Sequence, residues 1–252
     1  MSRLKCEVSY DGTEFSGWQV QPNGRTVQGV IEAALQDIHK GRQVRISASG
    51  RTDAGVHARA QIFHFDSELK IPEEGWRKAL NGLLPDDVVI QKVQKVSSAF
   101  HARFDVAKKE YRYRLLPTSD FDIFRRRYIH HFPYQLDQAS VCEAAKFLVG
   151  EHDFTSFCAA NTDVKNKVRT LETLDIHYEG DELVFRLVGN GFLYQMVRII
   201  VGTLIEVGRG KRSAVDVSRV LAERDRTQAG PTAPGKGLVL WEVTYDSNDG
   251  MG

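Results

Sequence analysis

Ser49-Gly50-Arg51-Thr52-Asp53-Ala54-Gly55-Val56-His57-Ala58 is the stretch on which the reading of this chain turns. One carboxylate, Asp53, lies between two glycines, with Arg51 two positions before it and His57 four after. Residues 43–49 before it read as a short strand. Residues 60–66 after it, centred on Gln61-Ile62-Phe63-His64-Phe65, read as another. Glycine permits tight turns and close backbone approach. Asp53 is therefore expected on a loop at a strand end, where a rigid sheet can hold a side chain into a cleft. The plain alternative is an ordinary turn, because Asp and Gly are common turn residues.

Outward from this loop the pattern mixes helices and strands. Leu4, Cys6, Val8 and Tyr10 alternate with polar residues, as in a half-buried strand. Thr26 reads as a helix cap before Val27, Val30, Ile31, Ala34, Leu35 and Ile38, and Gly41 ends that run. Pro72 is expected to open a second helix, with Trp76, Ala79, Leu80 and Leu83 on one face. Strands are expected near 88–96 and 107–116. Residues 117–135 are irregular, with Pro117, Pro133 and many charges, and the boundary between lobes is placed there. The expectation is an N-terminal lobe, 1–116, carrying the aspartate loop, and a C-terminal lobe, 117–252, that includes the linker 117–135.

In the second lobe a helix near 137–149 is capped by Asp137 and stopped by Gly150. Leu174, Ile176 and Tyr178 alternate towards Gly180-Asp181, and Leu183, Phe185 and Leu187 alternate away, which signals a hairpin. A largely apolar, buried helix over 191–207, a helix near 214–224 and a strand over 239–245 follow. This order predicts an α+β protein with largely antiparallel sheet and helices on one side.

Composition narrows the function classes. With 252 residues, 42% hydrophobic and 27% charged, the chain can form a sizeable core. Its net charge of +1 carries no global basic excess, so a nucleic-acid footprint must be a local patch. Lys108-Lys109, Arg112, Arg114, Arg125-Arg126-Arg127, Lys165, Lys167 and Arg169 are the candidates. Three scattered cysteines, without a C-x-x-C pair, argue against a disulfide framework and a zinc site, and fit a reducing cytoplasm. His57 and His64 have no third ligand in reach, so no metal is expected. The N-terminus enters a strand pattern at once, with no signal-peptide pattern. The longest apolar stretch, Phe192 to Val207, is interrupted by Gln195, Arg198 and Glu206. It is too short and too charged for a membrane span, and no membrane partner is expected.

The ten-residue stretch resembles the signature of the tRNA pseudouridine synthase A family, whose aspartate lies in Gly-Arg-Thr-Asp-Ala-Gly-Val-His-Ala. Further segments follow in the family's order. They are Tyr10-Asp11-Gly12, Phe15-x-Gly17-Trp18-Gln19, Asn81-Gly82-Leu83-Leu84-Pro85, Phe100-His101-Ala102-Arg103-Phe104 and Tyr111-Arg112-Tyr113. Gly150-Glu151-His152-Asp153-Phe154, Asn190-Gly191-Phe192-Leu193, Ala233-Pro234 and Gly237-Leu238 complete the set, so the resemblance spans nearly the whole chain.

The resemblance implies the pseudouridine synthase fold, two lobes joined into one curved sheet with a central basic cleft. It implies a homodimeric isomerase without a cofactor, which converts uridine to pseudouridine at positions 38, 39 and 40 of the tRNA anticodon stem-loop. It also implies roles for particular residues. Asp53 is the essential carboxylate, acting on C1′, on C6, as a base on the ribose or by stabilising cationic character at C1′, and Arg198 is its cationic partner. Tyr111 stacks on the target uracil and is a candidate proton acceptor. Beside these implied roles, the residues themselves suggest others: Arg51, two positions before Asp53, has the reach and charge to brace the gap left when the base is turned out, and His57, Arg103 and Gln61 are candidates for holding the loop or the backbone phosphates. Two other readings share the scaffold: a non-catalytic RNA-binding protein, and a synthase acting on a different RNA.

Overall fold

The computed structural model describes residues 1–160, 162 and 164–246. In chain order the elements are β1 (Ser2–Tyr10), α1 (Val27–Ile38), β2 (Ser47–Ala48), β3 (His57–Ser67), α2 (Glu73–Asn81), β4 (Val88–Val96) and β5 (Val106–Leu116). They continue with β6 (His130–His131), α3 (Gln138–Lys146), β7 (Gly150–Asp153), β8 (Val168–Glu179), β9 (Glu182–Gly189), α4 (Met196–Gly208), α5 (Ala214–Glu223) and β10 (Leu238–Tyr245). The chain forms two compact units: residues 1–107 with the C-terminal stretch from Leu240, and residues 108–239.

In the first unit the strand order is β4-β1-β3-β10, and the short β2 pairs with β3. β1 runs antiparallel to both β3 and β4, with Leu4 opposite Phe65 and Cys6 opposite Phe63. These four side chains share one apolar face and are at most 4% exposed. Trp76 of α2 meets Phe65 edge-on at 5.2 Å, and Trp18 packs on Phe63. Each large apolar side chain removed from water contributes about 1.5–3 kcal/mol before entropy is counted, so this face fixes the register of β3. That register in turn sets where the Asp53 loop ends.

The expected strand over 43–49 shrinks to Ser47–Ala48. The Glu32 carboxylate of α1 accepts the Ile46 N–H at 3.2 Å and pairs with Arg45 at 2.9 Å, which holds this stretch on the helix. Pro72 is the N-cap of α2, and the helix stops at Asn81. The Asn81 side chain closes the turn by bonding both the N–H and the carbonyl of Ile90. Leu83 therefore lies beyond the helix and is 50% exposed, contrary to its expected place on the apolar face.

In the second unit the order is β5-β9-β8-β7, with β6 parallel to β5. The β8–β9 hairpin turns at Gly180, whose φ is +65°. α3 packs on α4, α5 and β8. The apolar helix expected over 191–207 begins only at Met196, because Gln195 takes the left-handed region and the Asn190 side chain accepts the Thr170 N–H. The helix expected over 137–149 ends at Lys146. β7 had no counterpart in the sequence reading: its four residues are too few for a period to register.

Candidate active site

The Asp53 loop, residues 49–56, joins β2 to β3 and is braced from two sides. On one side stand β1 and the segment after it. The Tyr10 and Thr52 hydroxyls bond at 2.8 Å, the Trp18 N–H donates to the Thr52 carbonyl at 3.0 Å, and the Gly55 N–H donates to the Phe15 carbonyl at 3.3 Å. On the other stands Gln61 of β3, fully buried, which accepts the Ser49 hydroxyl and donates to the Gly50 carbonyl at 3.0 Å. The turn itself closes through the Val56 N–H on the Asp53 carbonyl, with Gly55 at φ +72°. Asp53 is half-buried at its apex and Arg51 is exposed.

Two glycines let the brace come this close. A Cβ on Gly12 would lie 2.0 Å from the Val56 carbonyl oxygen, and one on Gly17 would lie 2.8 Å from that of Thr52. The opening segment that matched the family signature, Tyr10 to Gln19, is thus the support of the aspartate loop. His57 belongs to the same support. It is 4% exposed, and its Nδ1 accepts the Gly12 N–H at 3.0 Å. Asp11 Oδ1 lies 3.2 Å from the same nitrogen and also caps Thr13. Arg103 is exposed on a short turn held by His101 and Asp105, its guanidinium 6.0 Å from the Phe104 ring.

The second unit carries Tyr111 and Arg198. Tyr111 sits on β5 opposite Leu187, is 8% exposed, and meets Phe192 edge-on at 5.0 Å. Tyr113, two residues on and facing the same way, is fully buried in the core, as alternation implies. Its hydroxyl donates to the Pro234 carbonyl at 3.0 Å and takes the His130 Nδ1 proton at 3.0 Å. Burial pushes that phenol well up, and the charge of Arg198 pulls the other way. Arg198 lies in the first turn of α4, where its Nε donates to the Ala233 carbonyl at 2.7 Å and its own carbonyl accepts the Ala233 N–H at 3.0 Å. The Ala233-Pro234 segment is therefore the strap that holds both Arg198 and Tyr113. Gly202 makes room for it, since a Cβ there would lie 1.7 Å from the Pro231 carbonyl oxygen.

Much of the expected basic patch is already neutralised. Arg112 and Arg186 share Glu110, at 2.7 and 2.9 Å. Arg114 pairs with Glu182 at 2.6 Å, and Arg125 bridges Asp122, Asp181 and Glu182. Lys108 pairs with Glu172 at 2.7 Å. A cavity of about 410 Å³ in the first unit, lined in part by His39, Arg42, Arg45, His64 and Asp66, includes no residue of the Asp53 loop. Among the described residues there is no group of three or more His, Cys, Asp or Glu able to hold a metal.

A family profile described as tRNA pseudouridine synthase matches residues 7–105 and 144–246. Over 247 residues the chain is 56% identical to tRNA pseudouridine synthase A of Anoxybacillus flavithermus, covering 98% of this chain and 100% of that one. It is 54% identical, with the same coverage, to tRNA pseudouridine synthase A 1 of Bacillus cereus. The chain belongs to the tRNA pseudouridine synthase family.

Within this family profile, the first segment holds Arg51, Asp53, His57 and Arg103, and the second holds Arg198. Tyr111 falls between the two segments. Phe192 and Ala233 were given no individual role from the sequence of this family member, and Arg169 entered only as one member of the candidate basic patch. Phe192 and Ala233 lay inside quoted motifs, but only the β5 register and the strap on α4 reveal what they touch.

Proposed function

We propose that this chain isomerises uridine to pseudouridine at positions 38, 39 and 40 of the tRNA anticodon stem-loop, with Asp53 as the essential carboxylate. The observation that carries the reading is the full-length likeness to relatives named tRNA pseudouridine synthase A. It coincides with a half-buried aspartate on a loop clamped by backbone and side-chain bonds on both sides.

In the reaction the N1–C1′ bond breaks, the uracil turns over, C5 bonds to C1′, and the C5 proton leaves. Nothing is consumed, so the protein need only hold, polarise and move one proton. Asp53 serves as a nucleophile at C1′, as an adduct former at C6 or as a base on the ribose 2′ position. A nucleophile divides one hard step into two easier ones. In each version the carboxylate must be ionised when RNA covers it. A nearby cation favours the ionised form, and Arg198 is the residue we assign to that role. Tyr111 presents a ring on which a pyrimidine stacks, a contact worth about 1–3 kcal/mol per base. The target must leave the helical stack first, at a cost of a few kcal/mol. Arg51, exposed beside Asp53, fills the space it vacates, while His57 and Gln61 fix the loop from beneath and Arg103 reaches for the RNA backbone. The active form is a homodimer, in the cytoplasm. No helix of the described residues is long and apolar enough to cross a membrane.

The test is tritium release from C5-labelled uridine in tRNA. Asp53→Asn protein should bind tRNA and release none. Release at near wild-type rate would remove Asp53 from the chemistry. Mapping pseudouridine in tRNA from cells lacking the protein should show the loss at 38, 39 and 40.

A further inference from the structure

Most arginines of this chain with a bonded guanidinium reach a carboxylate, as Arg3 does Asp66, Arg25 does Asp87 and Arg114 does Glu182. Arg169 does not. It lies on β8 opposite His152 and is half-buried. Its Nη1 donates to the carbonyls of Asn166 and Val168, at 3.0 and 2.6 Å. Among the described residues no carboxylate pairs with it. Burial pulls the guanidinium below the usual arginine range, and the one counteracting influence is the buried Cys158 thiol. That thiol in turn feels the charges of both Lys167 and Arg169. The locus thus gathers positive charge in a partly desolvated place, an arrangement that an arriving anion relieves.

The guanidinium is also held in place. The Asn190-Gly191 turn lies against it, so that a Cβ on Gly191 would sit 3.5 Å from Nε. That turn is locked to β8 by two bonds, Asn190 N–H to the Thr170 carbonyl and Thr170 N–H to Asn190 Oδ1. The next residue is Phe192, whose ring meets Tyr111. One rigid stretch, 189–192, therefore links a carboxylate-free arginine to the aromatic pair.

We propose that Arg169 is a phosphate-contacting residue that holds the RNA backbone beside the Tyr111–Phe192 rings. This rests on the reading of the chain as a tRNA-modifying enzyme. The planar fork of arginine matches two phosphate oxygens, which a lysine ammonium does not. The contact is sequence-independent and sets position, in keeping with a substrate recognised by its backbone.

Binding of unmodified tRNA to Arg169→Gln and wild-type protein, measured from about 50 to about 200 mM salt, tests this. Loss of one phosphate contact should flatten the slope of log K against log salt by about 0.7–0.9. KM should rise while kcat stays near wild type, because such a contact acts equally on ground and transition states. Parallel salt slopes would overturn the proposal. Should Arg169→Gln fail to fold, Arg169→Lys replaces it: the slope should be kept while affinity falls several-fold, and unchanged affinity would overturn it. Inorganic phosphate alone, at fixed ionic strength, separates a free-anion site. Stabilisation of wild type but not of Arg169→Gln, with parallel salt slopes, would assign the residue to the free anion. Wild-type protein that forms no pseudouridine in tRNA defeats the functional reading instead, whereas active wild type with parallel slopes defeats only the Arg169 assignment.

Discussion

Gly17→Ala should damage the aspartate loop through one carbon atom. Gly17 has φ +98°, and a Cβ there would lie 2.8 Å from the Thr52 carbonyl oxygen, 3.2 Å from the Asp53 carbonyl carbon and 3.3 Å from the Ala54 nitrogen. All three are backbone atoms that no rotamer change can move. A non-glycine residue at positive φ costs about 1–2 kcal/mol, and forced overpacking adds about 1–3 kcal/mol. Reduced freedom of the unfolded chain returns about 0.4–1 kcal/mol. The net loss is about 1–4.6 kcal/mol, a fall in Tm of about 2–18 °C at this chain length. Gly180→Ala supplies the comparison: its φ is +65° but nothing lies within 4 Å, so only about 1 kcal/mol is expected. The difference between the two melting curves isolates the contact. In turnover the variants should diverge further. A shift of Asp53 approaching 1 Å costs about 100-fold in rate, while Gly180→Ala should work normally. Tritium release and thermal melting on both proteins give the answer. A Gly17→Ala protein that melts and turns over like Gly180→Ala would refute the claim that residues 15–18 position the carboxylate.

Arg198→Met should slow tritium release from C5-labelled tRNA about 100-fold while tRNA affinity stays near wild type; an unchanged rate would remove Arg198 from the proposed chemistry. Tyr113→Phe strips the partner from both Pro234 and His130, so urea unfolding should show a loss of about 1–3 kcal/mol, and an unchanged midpoint would contradict it. His64 is held neutral in the fold, its pKa brought from 6.5 down to about 4 by burial, with Arg3 and His101 adding to the shift. Its Nδ1 accepts the Ala102 N–H. The unfolded chain binds this proton first, so the stability it lends is complete above about pH 6.5 and is lost as pH falls towards about 4. Melting temperatures across that range should drop in wild type and drop less in His64→Asn.

The elements that the sequence made legible are those whose local pattern and packing agree. β1 alternates in sequence and is buried on alternate residues in the fold, and the hairpin signal at Gly180-Asp181 coincides with a positive-φ glycine. Thr26 and Asp137 cap their helices through the bonds their side chains suggest. Where a distant side chain takes over a backbone group, local reading fails. Glu32 holds Ile46 off the sheet, and Asn190 ties up Thr170 just where helical spacing appeared to begin. The aspartate loop was recognisable from ten letters, but its support was not. Nothing in Gly12 or Gly17 announces that each abuts the loop backbone across some forty residues. Likewise, clustered arginines read as a basic surface until the carboxylates that pair with them are seen.

The return of β10 has a consequence for the order of folding. Residues 108–239 form a compact unit inserted between two pieces of the other, and β10 lies next to β3 in the strand order. A ribosome releases β1, β2, β3 and β4 early, yet β3 must wait for more than half of the chain before β10, its neighbour in the strand order opposite β1, arrives. In the interval one flank of β3 has unspent hydrogen-bonding groups, the kind of edge that invites pairing with another nascent chain. The inserted unit can close first, so maturation during synthesis would run from the middle outward, and the Asp53 loop would gain its finished scaffold last.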